Sequence, residues 1–419
     1  MSRVVRIGKD RKIEMVGQTV PAGLGDIDTK VALIQALIPL GLQAVAEVLH
    51  QEVTALAGPR YAREDGAPHL VRWGQQRGSV YLADQKLPIQ APRVRNRQAG
   101  VEVPLQSYTR LQQPRAADEG MLRRILYGLS CRDYRAAAEA VPEAFGLSRS
   151  SVSRRYVRAT ARKLALLQER RLDRDDFVAL MLDGKRFAED TMVVALGITL
   201  RGEKVLLGFV QTGTENATAC GAFLRGLLER GLRLAEGLLV VLDGGKGLRR
   251  AVQDVLGDQA QVQRCVWHKR ENVVAYLPKH LQTTWRAKLQ HAYRQPTYEV
   301  AHAELCRLQG ELRRLNEDAA RSLAEGLEET LTLHRLGLAD RLGISLSTTN
   351  GLESILALVE QRVGKVDRWT TSDQKQRWLA TVLLEIEPRL RHLRGYRALP
   401  QLRTALQQGL LKANEVLVA

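Results

Sequence analysis

Phe177-Val178-Ala179-Leu180-Met181-Leu182-Asp183-Gly184-Lys185 decides how this chain is to be read. An apolar run closed by an acidic residue and a glycine predicts a buried strand whose last side chain, Asp183, emerges where the strand stops. Downstream, residues 191–200 and Lys204–Thr212 are rich in strand formers, and the polar turn Arg201-Gly202-Glu203 between them predicts a three-strand antiparallel meander. Residues 216–230 place Ala219, Phe223, Leu224, Leu227 and Leu228 at helical spacing, and Gly231 closes them. Leu238–Leu242 is a second all-apolar run, ending in Asp243-Gly244, with the composition of a strand buried on both faces. A helix over Lys246–Leu256 and a strand over residues 261–267 complete the series.

The order strand-strand-strand-helix-strand-helix-strand is that of a ribonuclease-H-like core. That core sets its first and fourth strands side by side, so Asp183 and Asp243 become neighbours although they lie 60 positions apart. Two hard oxygen ligands at the edge of a sheet suit Mg2+, which prefers carboxylate and water and binds together with substrate phosphates. A pair of such ions about 4 Å apart can activate an attacking oxygen and stabilise a leaving one in phosphoryl displacement.

A third carboxylate is expected on a helix near the end of this region, where Ser347-Thr348-Thr349-Asn350-Gly351-Leu352-Glu353-Ser354 runs into an apolar helical stretch. Taken in order, Asp183-Gly184, Asp243-Gly244, Cys265-Val266-Trp267-His268 and Asn350-Gly351-Leu352-Glu353 resemble the motifs of the Mutator-type DDE transposases of bacterial insertion sequences. The likeness runs from about residue 74 to about residue 378 and takes in Gly78-Ser79-Val80-Tyr81, Tyr127-Gly128-Leu129-Ser130 and residues 146–153. It implies a DNA transposase that binds terminal inverted repeats and carries out metal-dependent strand cleavage and strand transfer. Asp183, Asp243 and Glu353 would hold two Mg2+ ions, with Mn2+ as a substitute. Glu353 owes its assignment to this likeness, because Asn350 to Glu353 also reads as a capping box in which Asn350 caps the helix and Glu353 reaches back to its amide. Glu360, two turns on, is the reserve. One departure stands out: relatives tend to carry a tryptophan early in the helix after the third strand, where this chain has Cys220.

Around the site, Cys265 and His268 have the spacing of half a zinc site, and His302 with Cys306 offers a distant second half. In the resemblance, the Cys-x-x-His stretch lies beside the active site, so His268 is expected to contact phosphate or support a metal ligand. A buried structural histidine is the alternative. Lys185 and Lys246 follow the two aspartates and are candidates for holding phosphates. Gly244-Gly245-Lys246-Gly247 lacks the earlier glycine and the following Ser or Thr of a Walker loop.

With 419 residues, 45% of them hydrophobic, the chain can bury a sizeable core. Its net charge of +17 calls for a polyanionic partner, because neutralised phosphates release counterions. Four cysteines without a paired framework predict a reducing compartment. The apolar segment of residues 31–53 is too interrupted to span a bilayer. The expectation is a cytoplasmic, nucleoid-associated bacterial protein that acts on double-stranded DNA, at element ends and at the target, as a homodimer or higher oligomer.

The domain reading is α+β and multidomain. Residues 1–110 form an N-terminal helical and small β region, with a helix break at Pro39 and the prolines of residues 87–95 confined to edge strands or loops. Residues 111–172 form a helix-turn-helix region: a helix over 131–144, the turn Phe145-Gly146-Leu147-Ser148, and a second helix capped by Ser148. That second helix carries Arg149, Arg154, Arg155, Arg158 and Arg162 for DNA, and Arg93 and Arg95 can track a backbone. Residues 173–275 begin the catalytic core, 276–340 are an all-helical insertion, 341–385 supply the last catalytic helix, and 386–419 are a basic tail. Two rival functions are a ribonuclease-H-like nuclease that only hydrolyses and a transposase-derived DNA-binding regulator without catalysis.

Overall fold

A computed structural model describes residues 4–7, 13–16, 27–61, 69–82, 85–112, 115–131, 148–187, 189–213, 216–364, 366 and 368–418. It divides into two compact units, Met1–Ile125 with Leu129–Tyr156, and Leu126–Gly128 with Val157–Ala419. Residues 132–147, with most of the first helix and the turn expected of a helix-turn-helix, lie outside the described residues.

In the first unit, β1 (Val4–Ile7) pairs with β2 (Ile13–Val16), and α1 spans Ile27–Ala57. The break expected at Pro39 does not occur, since α1 runs straight through it. Proline within a helix forfeits one hydrogen bond and costs about 3 kcal/mol. On α1 this is offset by Val45, Leu49 and Val53, which share one face and bury themselves against Val80 and Val94. Those two residues belong to β3 (Leu70–Leu82) and β4 (Gln85–Asn96), which with β5 (Val101–Val103) form an antiparallel sheet of order β3-β4-β5. Pro88 and Pro92 face Ser79 and Gln75 of β3, whereas β5 pairs only with residues 94–96. The prolines therefore sit where β4 has a neighbour on one side alone. Gln106–Leu111 forms α2, Arg115–Leu126 forms α3 and Arg149–Gln168 forms α4; Ser148 caps α4 by accepting the Ser151 amide at 3.3 Å.

The second unit holds a five-stranded sheet of β6 (Phe177–Phe187), β7 (Asp190–Thr199), β8 (Lys204–Thr212), β9 (Leu238–Leu242) and β10 (Ala260–Arg264) in the order β10-β9-β6-β7-β8. The first three strands are antiparallel, while β9 runs parallel to both β6 and β10. Leu180 and Leu182 of β6 and Val240 and Leu242 of β9 pack under α5 (Ala217–Glu229) and α6 (Lys246–Leu256). Side chains alternate along a strand, so Met181 and Asp183 point to the opposite face.

Two strand ends differ from expectation. β6 does not stop at Asp183 but continues to Phe187, because β7 stays paired with it (Asp183 opposite Val194, Phe187 opposite Asp190). Only the β9 side ends there, with Leu182 opposite Leu242 as the last pair. β10 ends at Arg264 rather than at residue 267. The Cys265 amide makes the last link to β9 by donating to the Leu242 carbonyl at 2.8 Å, and β9 offers nothing beyond. The chain turns into α7 (Val266–Ala275), whose Lys269, fully buried, donates to the Ser322 and Glu325 carbonyls at 2.6 Å each.

Residues 266–335 are helical: α7, α8 (Lys279–Tyr293), α9 (Tyr298–Leu315), α10 (Glu317–Ala324), α11 (Leu327–Thr330) and α12 (Thr332–Arg335). They share their own core of Val273, Leu289, Leu305, Leu312 and Leu323. There follow α13 (Ala339–Leu346), α14 (Asn350–Val363), α15 (Ser372–Ile386) and α16 (Leu399–Val418). Among the described residues only the stretch Ala339–Val363 has the length and apolar composition of a membrane span. It is two helices, and Leu342, Leu346, Leu352, Ile355 and Val359 are buried within the unit.

Candidate active site

Asp183 leaves the sheet on the face that meets α14, whose Gly351 lies against Met181 with room for no more than a methyl group, 3.4 Å from the sulfur. That close approach brings Glu353, one turn into α14, over the sheet edge. Asp243 follows β9 at the register position beside Asp183, and its Oδ1 accepts the Gly245 amide at 2.9 Å. Asp183 is buried. Burial first, and then the charge of Asp243, push its carboxyl up to about 7; Glu353 adds to the rise and His268 opposes it. Asp183 is thus held near neutrality by burial first, and by the charges of Asp243 and Glu353 after it.

His268 and Cys265 stand at the start of α7, where Cys265 is the residue before the first turn. His268 Nε2 lies 3.9 Å from Glu353 Oε1. The hydrogen bond with Cys265 is the largest influence raising its pKa to about 9, against the effect of burial, with further help from Glu353 and Asp183. Burial opposes ionisation of the Cys265 thiol, but hydrogen bonds with His268 and Thr349 outweigh it and leave the thiol below its ordinary value. The imidazolium brings positive charge beside the carboxylates of Glu353 and Asp183.

Thr349 is the residue that sequence reasoning missed. It is the N-cap of α14, a place expected for Asn350, which lies inside the helix instead. Its hydroxyl donates to Glu353 Oε1 at 2.7 Å and stands 3.5 Å from His268 Nδ1, and its amide donates to Cys265 Sγ at 3.5 Å. Glu353 therefore reaches back to the Thr349 side chain and not to the Asn350 amide. The signal was present in Ser347-Thr348-Thr349, all residues that favour the cap position, but the sequence does not choose among them. Arg264 gave no signal at all. It is buried and donates to the Gly244 carbonyl at 3.4 Å and the Glu325 carbonyl at 3.1 Å, bracing the turn after Asp243. Gly244 has φ +97°, and a Cβ there would lie 2.1 Å from Arg264 Nε, so the glycine of Asp243-Gly244 is required twice over.

The other candidates fall as follows. Lys185 is paired with Glu360 at 3.1 Å, which occupies the reserve carboxylate; Lys246 opens α6 and is exposed. His302 and Cys306 face each other at 3.8 Å on α9, and His302 pairs with Glu328 at 3.1 Å. Among the described residues, Glu353 is what gathers with Cys265 and His268, their ligand atoms all within 4.8 Å of one another. Cys220 is buried under the other face of the sheet, so its place in the helix bears on packing there. On α4, Arg149, Arg154, Arg158 and Arg162 are exposed, the last three four residues apart on one face, whereas Arg155 is buried with its guanidinium 5.7 Å from the Tyr81 ring centre. Arg93 makes a two-pronged ion pair with Glu102, and Arg95 stacks over Trp73 at 4.7 Å.

Comparison with known proteins gives these motifs a family. The chain is 28% identical over 244 residues to a transposase for an insertion sequence element of Mycolicibacterium smegmatis, covering 57% of this chain and 74% of that one. It is 25% identical over 232 residues to an insertion-sequence transposase of Lactococcus lactis subsp. lactis, covering 54% and 58%. A third, from a transposon of Staphylococcus aureus, is 24% identical over 280 residues, covering 64% and 69%. The family model for the transposases of the Mutator family matches residues 29–391, a span that includes Asp183, Asp243, Cys265, His268 and Glu353, and the chain accordingly belongs to that family of insertion-sequence transposases.

Proposed function

We propose that this protein is a DNA transposase that cleaves at the ends of its element and joins the freed 3′ hydroxyl to target DNA, using Asp183, Asp243 and Glu353 as the metal-binding carboxylates of a ribonuclease-H-like core. The observation that carries this reading is that Asp183, just beyond the last β6–β9 pair, is raised to about 7 by burial and by the charge of Asp243, with Glu353 adding to the rise. Such a cluster is electrostatically unfavourable alone and is relieved by cations. Its donor set, hard carboxylate oxygens where the β6–β9 pairing ends, fits Mg2+ or Mn2+. The strand order, with β9 beside β6 and the meander beyond, is the arrangement that core requires.

When bound, the metal pair supplies Lewis-acid stabilisation of the attacking and leaving oxygens. The protein's own residues do the rest. Asp183 and Asp243 are fixed by the sheet, and Glu353 is aimed by the Thr349 hydroxyl. His268, positively charged at neutral pH, is placed to hold a phosphate oxygen beside them. The exposed arginines of α4 follow the phosphate backbone without reading sequence. Cleavage and joining are both in-line displacements at phosphorus, so one set of side chains serves each in turn.

The test is a cleavage and joining assay with Mg2+ or Mn2+ on DNA carrying the element's ends, comparing the unaltered protein with Asp183→Asn, Asp243→Asn and Glu353→Gln. Joined products lost in each variant, with DNA binding retained, support the reading. Nicks without joining point to a nuclease, and tight binding without cleavage points to a regulator.

A further inference from the structure

We infer that Cys265, His268 and Glu353 form a second metal site, selective for a thiophilic divalent ion such as Zn2+, which competes with catalysis for Glu353. Their ligand atoms already lie within 4.8 Å of one another, with His268 Nε2 at 3.9 Å from Glu353 Oε1. A tetrahedral ion with bonds of about 2.0–2.3 Å needs its ligands roughly 3.3–3.6 Å apart, so small side-chain rotations close the site. One sulfur, one imidazole nitrogen and one carboxylate oxygen, with a fourth position left for water, form a zinc-type donor set. Mg2+ disfavours both sulfur and imidazole, so the two kinds of ion sort themselves between this set and the aspartates.

The surroundings are those of a built site. Cys265 is fully buried, and its sulfur accepts from the Thr349 amide at 3.5 Å and faces the Thr349 hydroxyl at 3.6 Å. The same hydroxyl donates to Glu353 Oε1 at 2.7 Å. Thr349 therefore orients two of the three ligands from outside the coordination sphere, as outer partners of metal sites do. Cys265 and His268 flank the first turn of α7, so their spacing is rigid. Binding releases the thiol proton of Cys265 and the imidazolium proton of His268 to solvent, so that a thiolate and a neutral imidazole coordinate, and it changes no oxidation state. The consequence for catalysis rests on the transposase reading: an ion here holds Glu353 away from Asp183 and Asp243, so micromolar Zn2+ inhibits cleavage in millimolar Mg2+.

Co2+ titration of the metal-free full-length protein tests the site independently of any activity. One equivalent should give the visible bands of a tetrahedral ion and a near-ultraviolet thiolate-to-cobalt band, both displaced by Zn2+. Cys265→Ser should abolish the thiolate band, Cys306→Ser and Asp183→Asn should leave it, and Thr349→Ala should weaken Co2+ binding about 10- to 100-fold. Circular dichroism melts of each variant exclude misfolding. A thiolate band that follows Cys306, that survives Cys265→Ser, or that never appears overturns the site. If Co2+ binds as described but the protein cuts no DNA, the site stands and the transposase reading fails.

Discussion

Asp183 ties the stability of the fold to pH. Its carboxyl is held at about 7 against an ordinary 3.8, so between those values the folded metal-free protein binds a proton that the unfolded chain has lost. Stability contributed by the neutral form is therefore complete below about pH 4 and falls away as pH rises to 7. Asp183→Asn should be isoenergetic with the unaltered protein at pH 4 and more stable above pH 7 by roughly 1–4 kcal/mol, measured as melting temperature in EDTA, while losing cleavage. Mg2+ should narrow the gap by stabilising the unaltered protein alone. A melting difference independent of pH between 4 and 8 contradicts this. Gly244 is constrained as tightly. Gly244→Ala meets Arg264 Nε and an unfavourable φ, and should cost about 1–3 kcal/mol in denaturant titration. Arg264→Ala in the same chain should recover part of the loss, because one of the two obstacles is gone.

At the scale of elements, the site depends on how α14 begins. Glu353 sits in the first turn, where the positive end of the helix favours a carboxylate, and the Thr349 side chain fixes its direction. Thr349→Val keeps the volume and removes the hydroxyl. It should reduce the cleavage rate at saturating DNA about 10-fold or more while costing only about 1 kcal/mol of stability, whereas Thr349→Ser should retain most of the rate. Equal rates for Val and Ser would show that Glu353 is positioned by the backbone alone. Gly351 governs the same helix from beneath. A Cβ there already meets Met181 at ordinary contact distance, so the larger side chain of Gly351→Leu should lower stability and activity together.

For the whole molecule, the net charge of +17 favours a polyanionic partner, and the proposed function makes that partner DNA. The exposed Arg154, Arg158 and Arg162 share one face of α4, and three phosphate contacts account for a salt slope of about 2.7 in log affinity against log salt. Replacing all three by glutamine should weaken binding to any duplex and flatten that slope by about this amount, measured by titration across salt concentrations. Arg155→Gln should act differently, since its guanidinium is buried beside Tyr81: it should lower stability and leave the slope nearly unchanged.

The sequence by itself determined the five strands in order, the helices between them and the helix on which Glu353 stands. Those features rest on local periodicity and on residue types that report burial directly. Tertiary structure alone decided where strands end, because an end is set by the neighbour's length: β6 continues beyond Asp183 since β7 accompanies it, and β10 stops at Arg264 since β9 is short. It also decided that α1 runs through Pro39, with Val45, Leu49 and Val53 further along the helix buried against the small sheet. The choice of Thr349 over Asn350 as cap, the bracing of Gly244 by Arg264 and the meeting of Cys265 and His268 with Glu353 all join residues distant along the chain. No local pattern encodes such contacts; they exist only once the sheet and helices have packed.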